Sequence, residues 1–175
     1  MSYVTIGVDC GLKGGIACLV GNTLHTVKAM PVNTVRIAGK WRKRIDLDGL
    51  RDIFDEYATH CPPATTPVVA IEHQQARQGE GTVSSFTNGY GFAAVTCLPL
   101  GRGWAVSFLT PKTWQRIHGI TKADKALSCA TAALLYPEHR NEFYGPRGGL
   151  RDGLAEAALI GAAFNQQIID QGDAA

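Results

Sequence analysis

The chain lacks several things that would each have settled its class. Its five cysteines (Cys10, Cys18, Cys61, Cys97 and Cys129) are odd in number and never form a Cys-x-x-Cys pair. Neither a zinc knuckle nor a disulfide framework is indicated, and cysteines in apolar runs read as small buried hydrophobes. No run approaches the roughly 18 apolar residues that span a bilayer. The N-terminus, MSYVTIGVDC, has no basic segment followed by a long apolar one, so no secretory signal is expected and a reducing cytosol is. Repeats, low-complexity tracts and a second domain are absent from the pattern, and the five histidines show no metal-binding spacing. His118 and His139 read as loop residues. His73 follows Glu72, and strand alternation points it to the opposite face.

Charge of one sign is also scarce: a formal +2 over 175 residues does not by itself argue for nucleic acid. Its distribution says more. Arg36, Lys40, Arg42, Lys43 and Arg44 fall within nine residues around Trp41. Cations around an aromatic suit phosphate contact with base stacking, although a solvated loop has the same composition.

With 45% hydrophobic residues the chain is long enough for one globular domain, residues 1–175. Alternation predicts strands at Tyr3–Asp9, Gly15–Val20 and Leu24–Met30, with Gly21-Asn22 as a hairpin turn. Pro31 then opens a basic loop. Leu47, Leu50, Phe54 and Tyr57 recur at helical spacing behind Asp46 as N-cap, and Cys61-Pro62-Pro63 stops that helix. A buried strand ends at Glu72, and His73–Gly81 reads as a loop. A helix is expected over Val83–Cys97, with Val83, Phe86, Tyr90 and Ala94 on one face; Gly89 and Gly91 each weaken it by roughly 1 kcal/mol relative to Ala. Trp104–Leu109 makes a fifth strand, and Thr110-Pro111 starts a short helix to about Arg116. Thr121 opens a helix to Leu135, Pro137–Gly149 is a loop, and Arg151–Ile168 is the last helix. This order predicts an α/β fold, a mixed five-stranded sheet with helices on both faces.

Four carboxylates stand out against that frame. Asp9 and Glu72 end two apolar strands, on the side where α/β sheets bind ligands. Asp152 and Glu156, four apart among small residues, share one helical face. Singly, Glu72 can cap a strand edge and Asp152 can N-cap a helix. Together, four converging acids would repel one another by several kcal/mol without a counter-ion. Hard divalent cations supply that charge, and two Mg²⁺ or Mn²⁺ roughly 3.5–4 Å apart are the usual arrangement for hydrolysing phosphodiesters.

These residues match a known family. IGVDCGLKGGIACLV, the mid-chain IEH and RDGLAEAALIG resemble the RuvC-type Holliday-junction resolvases, over about Ile6 to Ala163. MPVNTVRIAGKWRKRIDLDGL and NGYGF resemble more closely the chloroplast resolvases and their phage and bacterial relatives. The resemblance implies an RNase H-like fold, a homodimer acting on four-way junction DNA, and an endodeoxyribonuclease making paired symmetric nicks with 5′-phosphate and 3′-hydroxyl ends. It implies Mg²⁺ or Mn²⁺, with Asp9, Glu72, Asp152 and Glu156 as catalytic metal ligands. The bacterial pattern ends in two aspartates three apart, where this chain has Asp and Glu four apart.

The resemblance also implies a lysine near the scissile phosphate. Lys122, in GITKADKAL, matches it, while a second family lysine is replaced by Gln115, leaving Lys112 or Arg116 to substitute. Gln75, Gln78, Ser84, Ser85, Phe86 and Asn88 match the region that enters the junction, although helical spacing alone puts Phe86 in the core. Lys40, Trp41, Arg42, Lys43 and Arg44 match a segment that holds the junction arms.

Other readings carry weight too. Another RNase H-like nuclease, cutting RNA–DNA hybrids or other branched DNA, fits the four acids equally. A non-catalytic junction-binding protein would use the same surface. An actin-like phosphotransferase would need a second lobe and a phosphate loop, and no Walker A sequence occurs. No membrane partner or nucleotide cofactor is expected, and the cytoplasm of a bacterium or phage-infected host is the expected location.

Overall fold

A computed structural model describes residues 3–75, 79, 81–120 and 124–172. Three antiparallel strands lead: β1 (Val4–Asp9), β2 (Gly15–Val20) and β3 (Thr23–Ala29). A separate antiparallel pair follows, β4 (Val32–Ile37) and β5 (Lys40–Ile45). Then come α1 (Leu47–Ala58), β6 (Val68–Glu72), α2 (Thr82–Leu100), β7 (Ala105–Leu109) and α3 (Pro111–Ile117). The chain closes with α4 (Lys125–Leu135), a 3₁₀ turn at Pro137–His139, α5 (Arg140–Phe143) and α6 (Asp152–Gly172). The main sheet runs β3-β2-β1-β6-β7, with β6 parallel to both β1 and β7. It is the mixed five-stranded sheet that the sequence predicts.

Side-chain alternation sorts the sheet into two cores. Ile6, Val8, Ile16, Cys18, Val69 and Ile71 face α1 and α2, meeting Leu50, Phe54, Tyr57 and Val95. Ala17, Leu19 and Ala70 face the other way, meeting Trp114, Cys129, Ala155, Ala158 and Leu159 of α3, α4 and α6. Asp9 has the parity of Gly7, and Glu72 that of Ala70, so both acids fall on the α6 side of the sheet.

Glycines set how closely α6 lies on β1. A Cβ on Gly7 would collide with the Ala157 carbonyl and come within 2.6 Å of Gly161 N. Further along, a Cβ on Gly153 would strike the Lys13 carbonyl and come within 2.6 Å of Gly14 Cα. The start of α6 is thereby pressed onto the turn just beyond Asp9. At its other end, Asn165 accepts from Thr5 Oγ1 at 2.6 Å and donates to the Gly21 carbonyl at 2.8 Å. This buried polar clasp fixes the helix in register.

Several local expectations need correction. Residues after Pro31 form the β4–β5 hairpin rather than a loop, turning through Ala38 and Gly39 at φ 48° and 78°. Positive φ at both central residues is the geometry of a two-residue hairpin turn. Alternation was invisible there because both faces mix apolar with polar or charged residues and most of them are exposed. Helix α2 extends past Cys97 to Leu100 with Pro99 inside it, and Val83 and Phe86 are exposed, not core. Its buried residues are Gly91, Ala94, Val95 and Pro99. Gly91 admits close packing, since a Cβ there would lie 2.9 Å from Ile45 Cδ1 and 3.1 Å from the Cys10 carbonyl. The described part of α4 begins at Lys125, with Asp124 as its N-cap accepting from Ala126 and Leu127 N–H at 2.9 and 3.1 Å. Part of the expected 137–149 loop is the 3₁₀ turn and α5. Cys10, Cys18 and Cys129 are buried, Cys61 is half-buried and Cys97 exposed; all five thiols are free.

Candidate active site

Three of the four predicted acids share one electrostatic site. Asp9 ends β1, where its Oδ1 accepts from Gly11 N–H at 3.2 Å. Burial pushes its carboxyl up to about 6; the Gly11 hydrogen bond and Lys125 oppose this, while Asp152 adds to it. Glu156 is pushed up to about 7, first by burial, then by Asp9 and Asp152. Lys125 and Ser128 pull it back. Asp152, on the first residue of α6, is held by Lys125 Nζ at 2.6 Å. Ser128 Oγ donates to Glu156 Oε1 over a long 3.5 Å.

Helix α4 thus opposes α6 rung by rung. Lys125 and Ser128, three apart, meet Asp152 and Glu156, four apart. Neither Lys125 nor Ser128 stands out in the sequence as a site residue. The signal available was the Asp124 cap: once it fixes the helix start, residues 125 and 128 fall on one face. Lys122, the predicted partner of the scissile phosphate, lies outside the described residues. Lys125 is the described lysine in contact with the acids, and its own pKa is raised, chiefly by Asp152.

Glu72 is buried at the end of β6, 8% exposed. The parallel register pairs Val8 with Ile71, so Asp9 and Glu72 follow adjacent positions on neighbouring strands. Cys10 lies between them: its thiol donates to the Glu72 carbonyl at 4.0 Å and is pushed up by burial, then by Asp9 and Glu72. Among the described residues, no group of three or more His, Cys, Asp or Glu side chains stands closely enough to hold a metal ion.

The remaining predicted residues separate into two places. Gln75 and Lys112 line a cavity of about 410 Å³ together with Glu72, His73, Gln74 and Thr110. Lys112 also opens onto a cleft of about 670 Å³ with Gln115 and Arg116, where the replaced family lysine was expected. His73 turns away from the acids, as alternation predicts, packing edge-on against Phe92 and Phe108 at 5.9 and 6.1 Å. His118 caps α3, bonding the Leu159 carbonyl through Nε2 at 2.8 Å, and His139 ends the 3₁₀ turn.

The other place is the hairpin. Ile37, Lys40, Arg42 and Arg44 face Thr82, Val83 and Phe86 of α2 across a groove of about 600 Å³ that includes none of the four acids. Trp41 is 68% exposed on its outer side, and Lys43 is exposed. The Arg44 guanidinium lies over two rings of α2, 4.8 Å from Tyr90 and 5.6 Å from Phe86. Ser84 is exposed, while Ser85 and Asn88 are half-buried on the same first turns of α2. Gln78 lies outside the described residues.

No family model and no curated protein matches the chain. Solved structures do. A Thermus thermophilus RuvC in complex with a Holliday junction substrate superposes with a TM-score of 0.58 at 12% identity, covering 95% of this chain and 96% of that one. A second Thermus thermophilus RuvC structure gives 0.53 at 15% identity, covering 94% and 96%. The chain has the RuvC fold. That RNase H-like architecture accounts for the five-stranded order. Identity this low speaks for the fold alone. No helix among the described residues is long and apolar enough to cross a membrane.

Proposed function

We propose that the chain is a metal-dependent endodeoxyribonuclease that resolves four-way DNA junctions by paired nicks, acting as a homodimer in the cytoplasm. The observation that carries this reading is the field shared by Asp9, Asp152 and Glu156, with Lys125 as the cation facing it. With the Asp9 and Glu156 carboxyls held above their ordinary range by burial and by neighbouring acids, the site favours a hard divalent cation with oxygen ligands. The donor chemistry therefore fits Mg²⁺ or Mn²⁺, with Asp9, Glu72, Asp152 and Glu156 as the residues that would hold it. Bound there, such ions supply Lewis-acid stabilisation of the phosphate and a more acidic water.

The chain's own groups have separate tasks. Lys125 offsets the acids before substrate arrives and would stabilise the negative charge that develops on the phosphate. Ser128 orients Glu156. Gln75 and Lys112, beside Glu72, receive the strand on the β6 side, with Arg116 beyond. The hairpin and the exposed Phe86, Val83 and Trp41 offer cations and apolar faces to unpaired bases and backbone at the crossover. The proposed kinship with chloroplast resolvases rests on the MPVNTVRIAGKWRKRIDLDGL and NGYGF segments, and the Asp-to-Glu spacing of four agrees with it.

The test is a substrate panel: a synthetic four-way junction, linear duplex, fork and RNA–DNA hybrid, each with Mg²⁺ or Mn²⁺. Symmetric paired nicks in the junction alone are expected. Cutting of the hybrid instead would make this a different RNase H-like nuclease, and tight junction binding without cutting would leave an architectural protein.

A further inference from the structure

On the side of the acids away from Lys112, a pocket of about 590 Å³ lies between the β1–β2 turn, β3 and the start of α6. Lys13, Gly14, Val27, Leu150, Arg151 and Asp152 are among its lining residues. Asp152 belongs both to this pocket and to the carboxylate site, so the two are continuous.

Two cations face this pocket without a carboxylate partner. Lys13 and Arg151 are exposed, and neither makes an ion pair among the described residues. Of the two acids of the pocket, Asp152 is engaged by Lys125 at 2.6 Å, and Glu142 Oε1 is hydrogen-bonded to His139 Nδ1 at 3.0 Å while its Oε2 is buried without a partner. The placement of the cations is structural. Gly153 packs directly on the backbone of Lys13 and Gly14, leaving no room for a Cβ. Lys13 is part of that contact and Arg151 precedes Gly153 by two residues, so the packing that seats α6 on the sheet also brings the backbones of both cations to the same pocket.

We infer that Lys13 and Arg151 form a phosphate subsite for the strand being cut, holding the phosphodiester next to the scissile one on the α6 side. The inference rests on the nuclease reading and extends it: the strand runs from Lys112, across the acids, to Lys13 and Arg151. Two cations from different elements hold one anionic group in place, and the apolar Val27 and Leu150 leave space for its sugar.

The experiment measures binding of a four-way junction against salt for wild type, Lys13→Ala, Arg151→Ala and the double variant. It is repeated on junctions carrying one uncharged methylphosphonate at successive positions around the cut. Each lost phosphate contact lowers the slope of log affinity against log salt by about 0.9. The double variant is expected to lose about one such contact. A methylphosphonate at one position beside the cut should weaken wild type but leave the double variant unchanged. An unaltered slope, or the same methylphosphonate penalty in the variant, overturns the subsite while wild-type junction cleavage keeps the nuclease reading intact. Failure of wild type itself to bind or cut the junction overturns the nuclease reading, and the subsite with it. Lys13→Arg, which keeps the charge, should restore the slope; if it does not, the loss reflects altered packing and the subsite is rejected.

Discussion

Lys125 Nζ lies 2.6 Å from Asp152 Oδ2, so the acid that opens α6 is bound to the cation that opens α4. This ion pair bridges the two helices at the site, and Lys125 itself lowers the carboxyl pKa values of both Asp9 and Glu156, which Asp152 raises. Lys125→Met removes that influence, so both acids should titrate higher than in wild type. Measured by NMR titration without metal, their midpoints should move up from about 6 and about 7. Unmoved midpoints would mean that Lys125 is no part of the site's electrostatics.

The raised acids also set a pH dependence for the metal-free protein. A carboxyl whose pKa is higher folded than unfolded favours the folded state while protonated. The contribution is complete below about pH 4 and is lost as pH rises through about 6 for Asp9 and about 7 for Glu156. Metal-free wild type should therefore lose stability between pH 5 and 8. Glu156→Gln should flatten part of that decline and be more stable than wild type at pH 8, by about 1–2 kcal/mol after allowing for solvent screening. Thermal melts across this range in chelator decide it. Adding Mg²⁺ at pH 8 should raise the wild-type melting temperature and leave the variant nearly unchanged.

Much of this was legible in the residues, and the rest was hidden for physical reasons. Apolar runs ending in Asp9 and Glu72 announced two buried strands, and spacing of four announced the shared face of Asp152 and Glu156. The β4–β5 hairpin escaped because alternation reports burial, and most residues of these two strands are exposed. Phe86 looked like core because helical spacing cannot tell which stripe of a helix is covered; in α2 the stripe of Gly91, Ala94 and Val95 is. Lys125 and Ser128 went unmarked because their role arises only when α4 docks on α6, a contact between segments that the sequence separates by a loop.

Arg44 pins the hairpin to α2 by stacking over Tyr90 and Phe86. Arg44→Lys keeps the charge but loses the planar stack, so it should loosen the hairpin where a purely electrostatic role would not. Faster proteolysis between Val32 and Ile45, with little change in melting temperature, is the expected result. Proteolysis at the wild-type rate would show that other contacts hold the hairpin.

Gly7→Ala should be more damaging than its size suggests. The new methyl would meet the Ala157 carbonyl and the Gly161 backbone, where neither strand nor helix can yield cheaply. Overpacking of this kind costs about 1–3 kcal/mol, which for a chain of this length lowers the melting temperature by about 3–10 °C. An unchanged melting temperature would show that α6 is not seated on β1 as closely as described.

The proposed function makes Asp9, Glu72, Asp152 and Glu156 one metal-dependent centre. Its most direct test is junction cleavage in Mg²⁺ by Asp9→Asn, Glu72→Gln, Asp152→Asn and Glu156→Gln, each assayed beside junction binding. Every variant should bind the junction within a few-fold of wild type yet cut it at least about 100-fold more slowly. A variant that cuts at the wild-type rate would remove its residue from the centre, and wild-type rates in all four would contradict the account.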